Sequence, residues 1–259
     1  MVEQMSFVKM FKTIIAKCLF LIMSGLVFAM SANAHEVEDG WECKVALVKQ
    51  SQQCKSLVAS LKNEVNQAES FYLLGQHDAA FEAFLSLALK GHPSAQFYLA
   101  ELYLADDGKL DRDQAIYWYQ KSAQQGNPNA QYNLANAYYY GDGVPADLLK
   151  AISWYLRAAV NGVPEAQLNL GYMYSYGEGV QKNDEAATLL YKFAARGGNT
   201  KAQSNLGFRY CKGVGIEQNL EQCAYWVKKA MDQGHANAKK IWETFNLEQH
   251  LGDAEKKMS

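Results

Sequence analysis

The sequence predicts an all-α fold, an α/α solenoid of antiparallel helix pairs, and three observations predict it. Glycines recur at a fixed interval: Gly126, Gly162, Gly198 and Gly234 are 36 residues apart, with Gly91 placed 35 before the first. Alanine, leucine and tyrosine keep the same step, as Ala130/Ala166/Ala202, Leu134/Leu170/Leu206 and Tyr138/Tyr174/Tyr210, with Ala95, Leu99 and Tyr103 as an earlier copy. Within each copy the apolar residues fall three and four apart, which is the spacing of one helix face. Self-similarity at such a period means a stack of units, each covering its neighbour's apolar flank, so the core runs along the stack.

In chain order, residues 1–34 read as a signal peptide. Lys9 and Lys12 lie in a basic start, Cys18 to Met30 is an uncharged apolar run, and Ala32-Asn33-Ala34 is a small-x-small cleavage signal before His35. The run is shorter than the roughly 20 apolar residues a spanning helix needs. Export to the periplasm is the expectation, with secretion as the alternative. Loss of Lys9, Lys12, Lys17 and Glu3 with that segment takes the formal charge from −2 to −4. A mildly acidic chain with no basic block is a poor partner for nucleic acid.

Residues 35–70 read as an N-terminal helical segment with Val45, Leu57, Leu61 and Val65 apolar. Residues 71–93 read as a helix pair, turning at Gly75-Gln76-His77-Asp78 before Ala80, Phe84 and Ala88. Four units follow, at 94–128, 129–164, 165–200 and 201–236, and residues 237–259 form a capping helix, with Trp242 and Phe245 apolar, and a polar tail. The unit 129–164 shows the anatomy. Ala130, Leu134, Ala137 and Tyr138 make a first helix, and Tyr140-Gly141-Asp142-Gly143-Val144-Pro145 stops it, because glycine tolerates positive φ and proline cannot donate inside a helix. Leu148, Ala151, Ile152, Tyr155, Ala158 and Ala159 make the second helix, and Gly162 stands at its C-terminal cap.

The frame Ala130-x3-Leu134-x3-Tyr138-x2-Gly141-x-Gly143-Val144, followed by Lys150-Ala151-x2-Trp154-Tyr155-x2-Ala158-Ala159-x2-Gly162, resembles the Sel1-like repeat, a relative of the tetratricopeptide repeats. The unit 94–128 departs from it, with Asp106 in place of the first loop glycine and one residue missing. The resemblance implies a non-enzymatic scaffold or adaptor of the bacterial cell envelope that binds another protein through the first helices of its pairs. It equally admits a structural accessory subunit of an envelope machine, such as a flagellar motor, or a secreted factor that engages a host protein. In either case any membrane contact would be indirect, through the partner.

Four cysteines remain after Cys18, an even number that suits an oxidising compartment. Cys211 ends the first helix of the last unit and Cys223 lies early in the second. One continuous helix would hold them ~18 Å apart, beyond the reach of a disulfide, whereas a hairpin returns them to each other. Cys43 and Cys54 could form a second bridge if the chain turns between them.

Motifs for chemistry are absent. No histidine stands at metal-ligand spacing from another histidine or a cysteine pair, and His92 and His235 read as loop decoration after the capping glycine. The Gly-x-Gly pairs read as turns rather than nucleotide loops, and no nucleophile elbow occurs. No catalytic residue, cofactor, metal or small-molecule substrate is expected, and the chain is not expected to be an enzyme. The candidate site is a partner-binding groove along the first helices, formed by positions that vary between units: Phe97, Tyr132, Asn136, Tyr139, Leu168, Tyr172 and Phe208. Aromatic residues there could be interface hot spots. The same spacing also suits packing between units, and the sequence leaves the two open.

Overall fold

A computed structural model describes residues 52–105 and 110–250, with side chains from residue 59 onward. The signal-peptide reading, Cys43, the side chain of Cys54 and the loop around Asp106 lie outside the described residues. Eleven helices and no strands occur among those that are described. They are α1 (Gln52–Leu73), α2 (His77–Leu89), α3 (Pro93–Leu104), α4 (Arg112–Gln124), α5 (Pro128–Tyr140), α6 (Leu148–Val160), α7 (Pro164–Tyr176), α8 (Asp184–Arg196), α9 (Thr200–Lys212), α10 (Leu220–Asp232) and α11 (Ala236–Thr244), with a 3₁₀ turn at Leu247–His250. The chain divides into two compact units, residues 1–122 and 123–259.

In the first unit α1 packs on α2 and α2 on α3. The boundary expected between residues 70 and 71 falls inside α1, which runs unbroken to Leu73 and is itself the antiparallel partner of α2. Its buried face, Leu61, Val65 and Ala68, meets a core that includes Phe84, Leu87 and Leu99. The Phe84 ring stacks on Tyr98 with centroids 4.9 Å apart.

In the second unit the pairs α5/α6, α7/α8 and α9/α10 are each followed by the first helix of the next, and α11 closes on α10. Each of the six paired helices is 13 residues long and ends by a rule visible in the sequence. α5 stops because Gly141 adopts φ +74°, a left-handed cap that L side chains resist. α6 starts because the Asp147 side chain accepts from the Lys150 N–H at 3.0 Å, satisfying a donor that has no partner within the helix.

The slot after the capping glycine is a helix N-cap. Asn127 and Asn199 accept from Ala130 and Ala202 N–H at 3.0 Å. His92 is buried and accepts from Ala95 N–H through Nδ1 at 3.4 Å. It caps a helix where the sequence suggested loop decoration. The repeated glutamines lock one pair to the next. Gln131, Gln167 and Gln203 each donate through Nε2 to a carbonyl near the end of the preceding second helix, at Ala123, Ala159 and Ala195, over 3.2, 2.9 and 3.2 Å. A buried amide that satisfies a helix-end carbonyl fixes register between repeats and leaves little for a ligand.

The second loop glycine has a different task, because it permits close approach to the preceding pair. A Cβ on Gly215, whose φ is +65°, would lie 2.1 Å from the Asp184 carbonyl oxygen at the start of α8. Cys211 and Cys223, both fully buried, are joined by a disulfide across the α9/α10 hairpin, with Cα atoms 5.2 Å apart. Closing a loop of this size removes ~3 kcal/mol of chain entropy from the unfolded state.

Candidate functional site

The second helices carry a tyrosine at one repeat position, Tyr119, Tyr155 and Tyr191, and the first helices answer it. Tyr119 donates to Glu101 in the first unit. Tyr155 donates to Asn136 Oδ1 at 2.5 Å and accepts from Asn169 Nδ2 at 3.2 Å. Asn136 is therefore committed to its own hairpin and to the orientation of the Tyr155 ring. Phe97 and Tyr132 are half-buried and also lie against these tyrosines, with centroids 6.2 Å from Tyr119 and 6.1 Å from Tyr155. Leu168 is half-buried.

Tyr139, Tyr172 and Phe208 are placed otherwise. Tyr139 reaches the next loop, where its hydroxyl lies 2.9 Å from both carboxylate oxygens of Glu178. Tyr172 is exposed and lies against exposed Tyr176, with centroids 4.4 Å apart and the rings tilted by 36°. Phe208 is exposed on one side and meets Phe245 edge-on at 6.5 Å. Between the second and third repeats the surface opens into a hollow of about 310 Å³, lined by Tyr139, Tyr140, Tyr155, Asn169, Tyr172 and Met173. Of the expected groove residues, Tyr139 and Tyr172 share this hollow, while Phe97, Tyr132, Asn136, Leu168 and Phe208 do not line it. Tyr140, Asn169 and Met173 join it without having been expected. Tyr140 sits at the last position of α5, where helical spacing reads only as a boundary.

One repeat later the arrangement changes, because Arg209 takes the position of Met173. Its guanidinium is buried, lies 5.2 Å from the Tyr191 ring centroid, donates to Ser175, and pairs with Asp184 Oδ1 at 3.2 Å. It also donates to Thr188 Oγ1 and to the Asp184 carbonyl, each at 3.0 Å. Thr188 in turn donates to the Val214 carbonyl at 2.9 Å, so this network holds the last inter-helix loop.

Burial, reinforced by the Glu178 carboxylate, pushes the Tyr139 phenol up to about 12. Burial likewise raises Tyr191 to about 12, against the pull of Arg209, and raises Tyr155 further. A raised phenol pKa means that folding favours the neutral ring, so the associated stability is complete below pH 10 and is lost as pH rises toward 12. In an alkaline titration followed by phenolate absorbance, we expect a phase near 12 from Tyr139 and Tyr191 that vanishes when the chain is unfolded. The absence of a phase near 12 in the folded protein would contradict the buried placement of these rings.

The arrangement offers aromatic faces, amide groups and one carboxylate, all means of holding a ligand. Among the described residues no cluster of histidine, cysteine, aspartate or glutamate is placed to hold a metal ion, and no helix is long and apolar enough to cross a membrane.

Comparison with known proteins agrees with the repeat anatomy. The Sel1 repeat family model matches residues 93–127, 128–163, 164–199 and 200–235. The chain is similar to the crystal structure of a Sel1 repeat protein from Oxalobacter formigenes, at 33% identity and a TM-score of 0.61, covering 64% of this chain and 48% of that one. It is also similar to c5321, described as a protective antigen present in uropathogenic Escherichia coli strains, at 30% identity and a TM-score of 0.64, covering 72% of this chain and 41% of that one. The chain thus spans about half or less of the length of those structures. No curated protein sequence matches it.

Proposed function

We propose, because this chain belongs to the Sel1 repeat family, that it is a scaffold that holds another protein of the bacterial cell envelope through the first-helix surface of its second unit. Sel1-repeat proteins generally mediate protein–protein interactions. The observation that carries the reading is the tyrosine-lined hollow between α5 and α7, with Tyr140, Tyr172 and Tyr176 exposed around it. Exposed tyrosines gathered at one place suit an interface, since they supply large, rigid contact area at small entropic cost. The disulfide of the last hairpin is compatible with an exported, oxidising location.

The test is crosslinking in cells from a photoreactive residue at Tyr172, with Ser153, exposed on α6, as the control position. Capture of one envelope protein from Tyr172 and not from Ser153 is expected. Equal capture from both positions, or none from Tyr172, would remove the surface assignment.

A further inference from the structure

The second unit carries two versions of one inter-repeat site, and the filled version indicates what the open version takes. Between the third and fourth repeats the tyrosine on the second helix, Tyr191, faces a guanidinium supplied from within the chain by Arg209. Ser175 accepts from that guanidinium and Asp184 is its counter-charge. A shift back by one repeat keeps the tyrosine, as Tyr155, and changes the other parts. Ser175 becomes Tyr139, Asp184 becomes Leu148, and Arg209 becomes Met173, an uncharged side chain that cannot supply the cation. The hollow of about 310 Å³ opens at this position, with Tyr140 and Tyr172 as its exposed rings and Tyr155 buried in its lining. A carboxylate stands beside the lining: Glu178, at the repeat position of Val214, lies 2.9 Å from the hydroxyl of Tyr139, which lines the hollow.

We propose that this hollow receives an arginine side chain from a partner polypeptide, its guanidinium against the tyrosine faces and the Glu178 carboxylate as its counter-charge. The proposal rests on the scaffold reading above and supplies the chemistry of the partner. Aromatic faces attract a cation through their quadrupole, guanidinium more often than ammonium. No lysine or arginine lines the hollow to oppose it, and the negative formal charge of the chain acts in the same direction.

The probe is the capped tripeptide acetyl-Gly-Arg-Gly-amide, compared with its citrulline counterpart, which keeps the shape and removes the charge. Each is titrated into the full chain while the tyrosine ring signals are followed by NMR. The arginine peptide should shift the Tyr140, Tyr155 and Tyr172 rings, with the citrulline peptide at least about tenfold weaker. Glu178→Gln keeps an acceptor for Tyr139 and should weaken the arginine peptide about tenfold. Met173→Arg, which copies the arginine of the fourth repeat into the third although Leu148 stands in the slot of Asp184, should block the peptide by filling the site from within. Equal binding of the two peptides, or an unchanged affinity in Glu178→Gln, overturns the proposal even if Met173→Arg fails to fold. If Glu178→Gln leaves both the peptide affinity and the envelope-protein crosslink from Tyr172 unaltered, the arginine site fails and the scaffold reading stands. Loss of the crosslink in the unsubstituted chain counts against the scaffold reading instead.

Discussion

Gly215→Ala is expected to destabilise the second unit by about 3–5 kcal/mol, from a backbone clash and an unfavourable φ acting together. The added methyl would lie 2.1 Å from the Asp184 carbonyl oxygen, 2.4 Å from its carbon and 2.8 Å from the Glu185 nitrogen. All three belong to the first turn of α8, which cannot rotate away as a side chain could. Gly179→Ala is the internal control, because it shares the positive φ, +68°, but its methyl would meet Ile152 Cδ1 at 3.0 Å and Leu148 Cβ at 3.1 Å. These side chains can give way by tenths of an ångström, so ~1–2 kcal/mol is expected there. Urea midpoints of the two variants, followed by helical circular dichroism, separate the contributions. If the variants fall together, the close approach of the last loop to α8 is wrong.

Arg209→Ala should cost about 2–4 kcal/mol, since it removes a buried guanidinium from the partly exposed Asp184 carboxylate and leaves Ser175 and Thr188 without their donor. Lys182, 3.4 Å from Asp184 Oδ2, remains to offset part of the lost charge, which places the effect at the low end. Arg209→Met is more informative, for the third repeat already carries methionine at this position. Replacement of an ion pair by well-packed apolar volume is often nearly neutral, so the methionine variant should recover more than half of the loss. The same urea midpoints decide it. A methionine variant as unstable as the alanine one would mean that the charge itself, and not the volume, holds the loop.

Much of the fold was legible because a repeat states its rules several times. Gly141, Gly177 and Gly213 mark the ends of first helices by the same left-handed turn, and the spacing of Cys211 and Cys223 around one of those turns pointed to their bridge. The start of α1 was harder to read. Its apolar positions follow no repeat, so nothing in the sequence linked residues 52–70 to the helix pair that begins the stack. The candidate surface was legible only in part. Helical spacing puts Tyr132 and Tyr172 on comparable faces, but cannot show that Tyr132 lies against Tyr155 while Tyr172 stays open. That difference arises from partners on other helices. Arg209 shows the same limit: an arginine at the slot of Ala137 and Met173 looks like a surface residue until Asp184, Thr188 and Tyr191 close around it.

Repeat stacks open from their ends, because a terminal repeat has a neighbour on one side only. The bridge between Cys211 and Cys223 changes what such opening can achieve at the C-terminal end. α9 and α10 can leave α8 together but cannot come apart from each other, so the hairpin returns to the stack as a ready-made piece instead of being rebuilt from coil. Amide exchange should therefore show paired protection, with the helices of this hairpin opening and closing as one body.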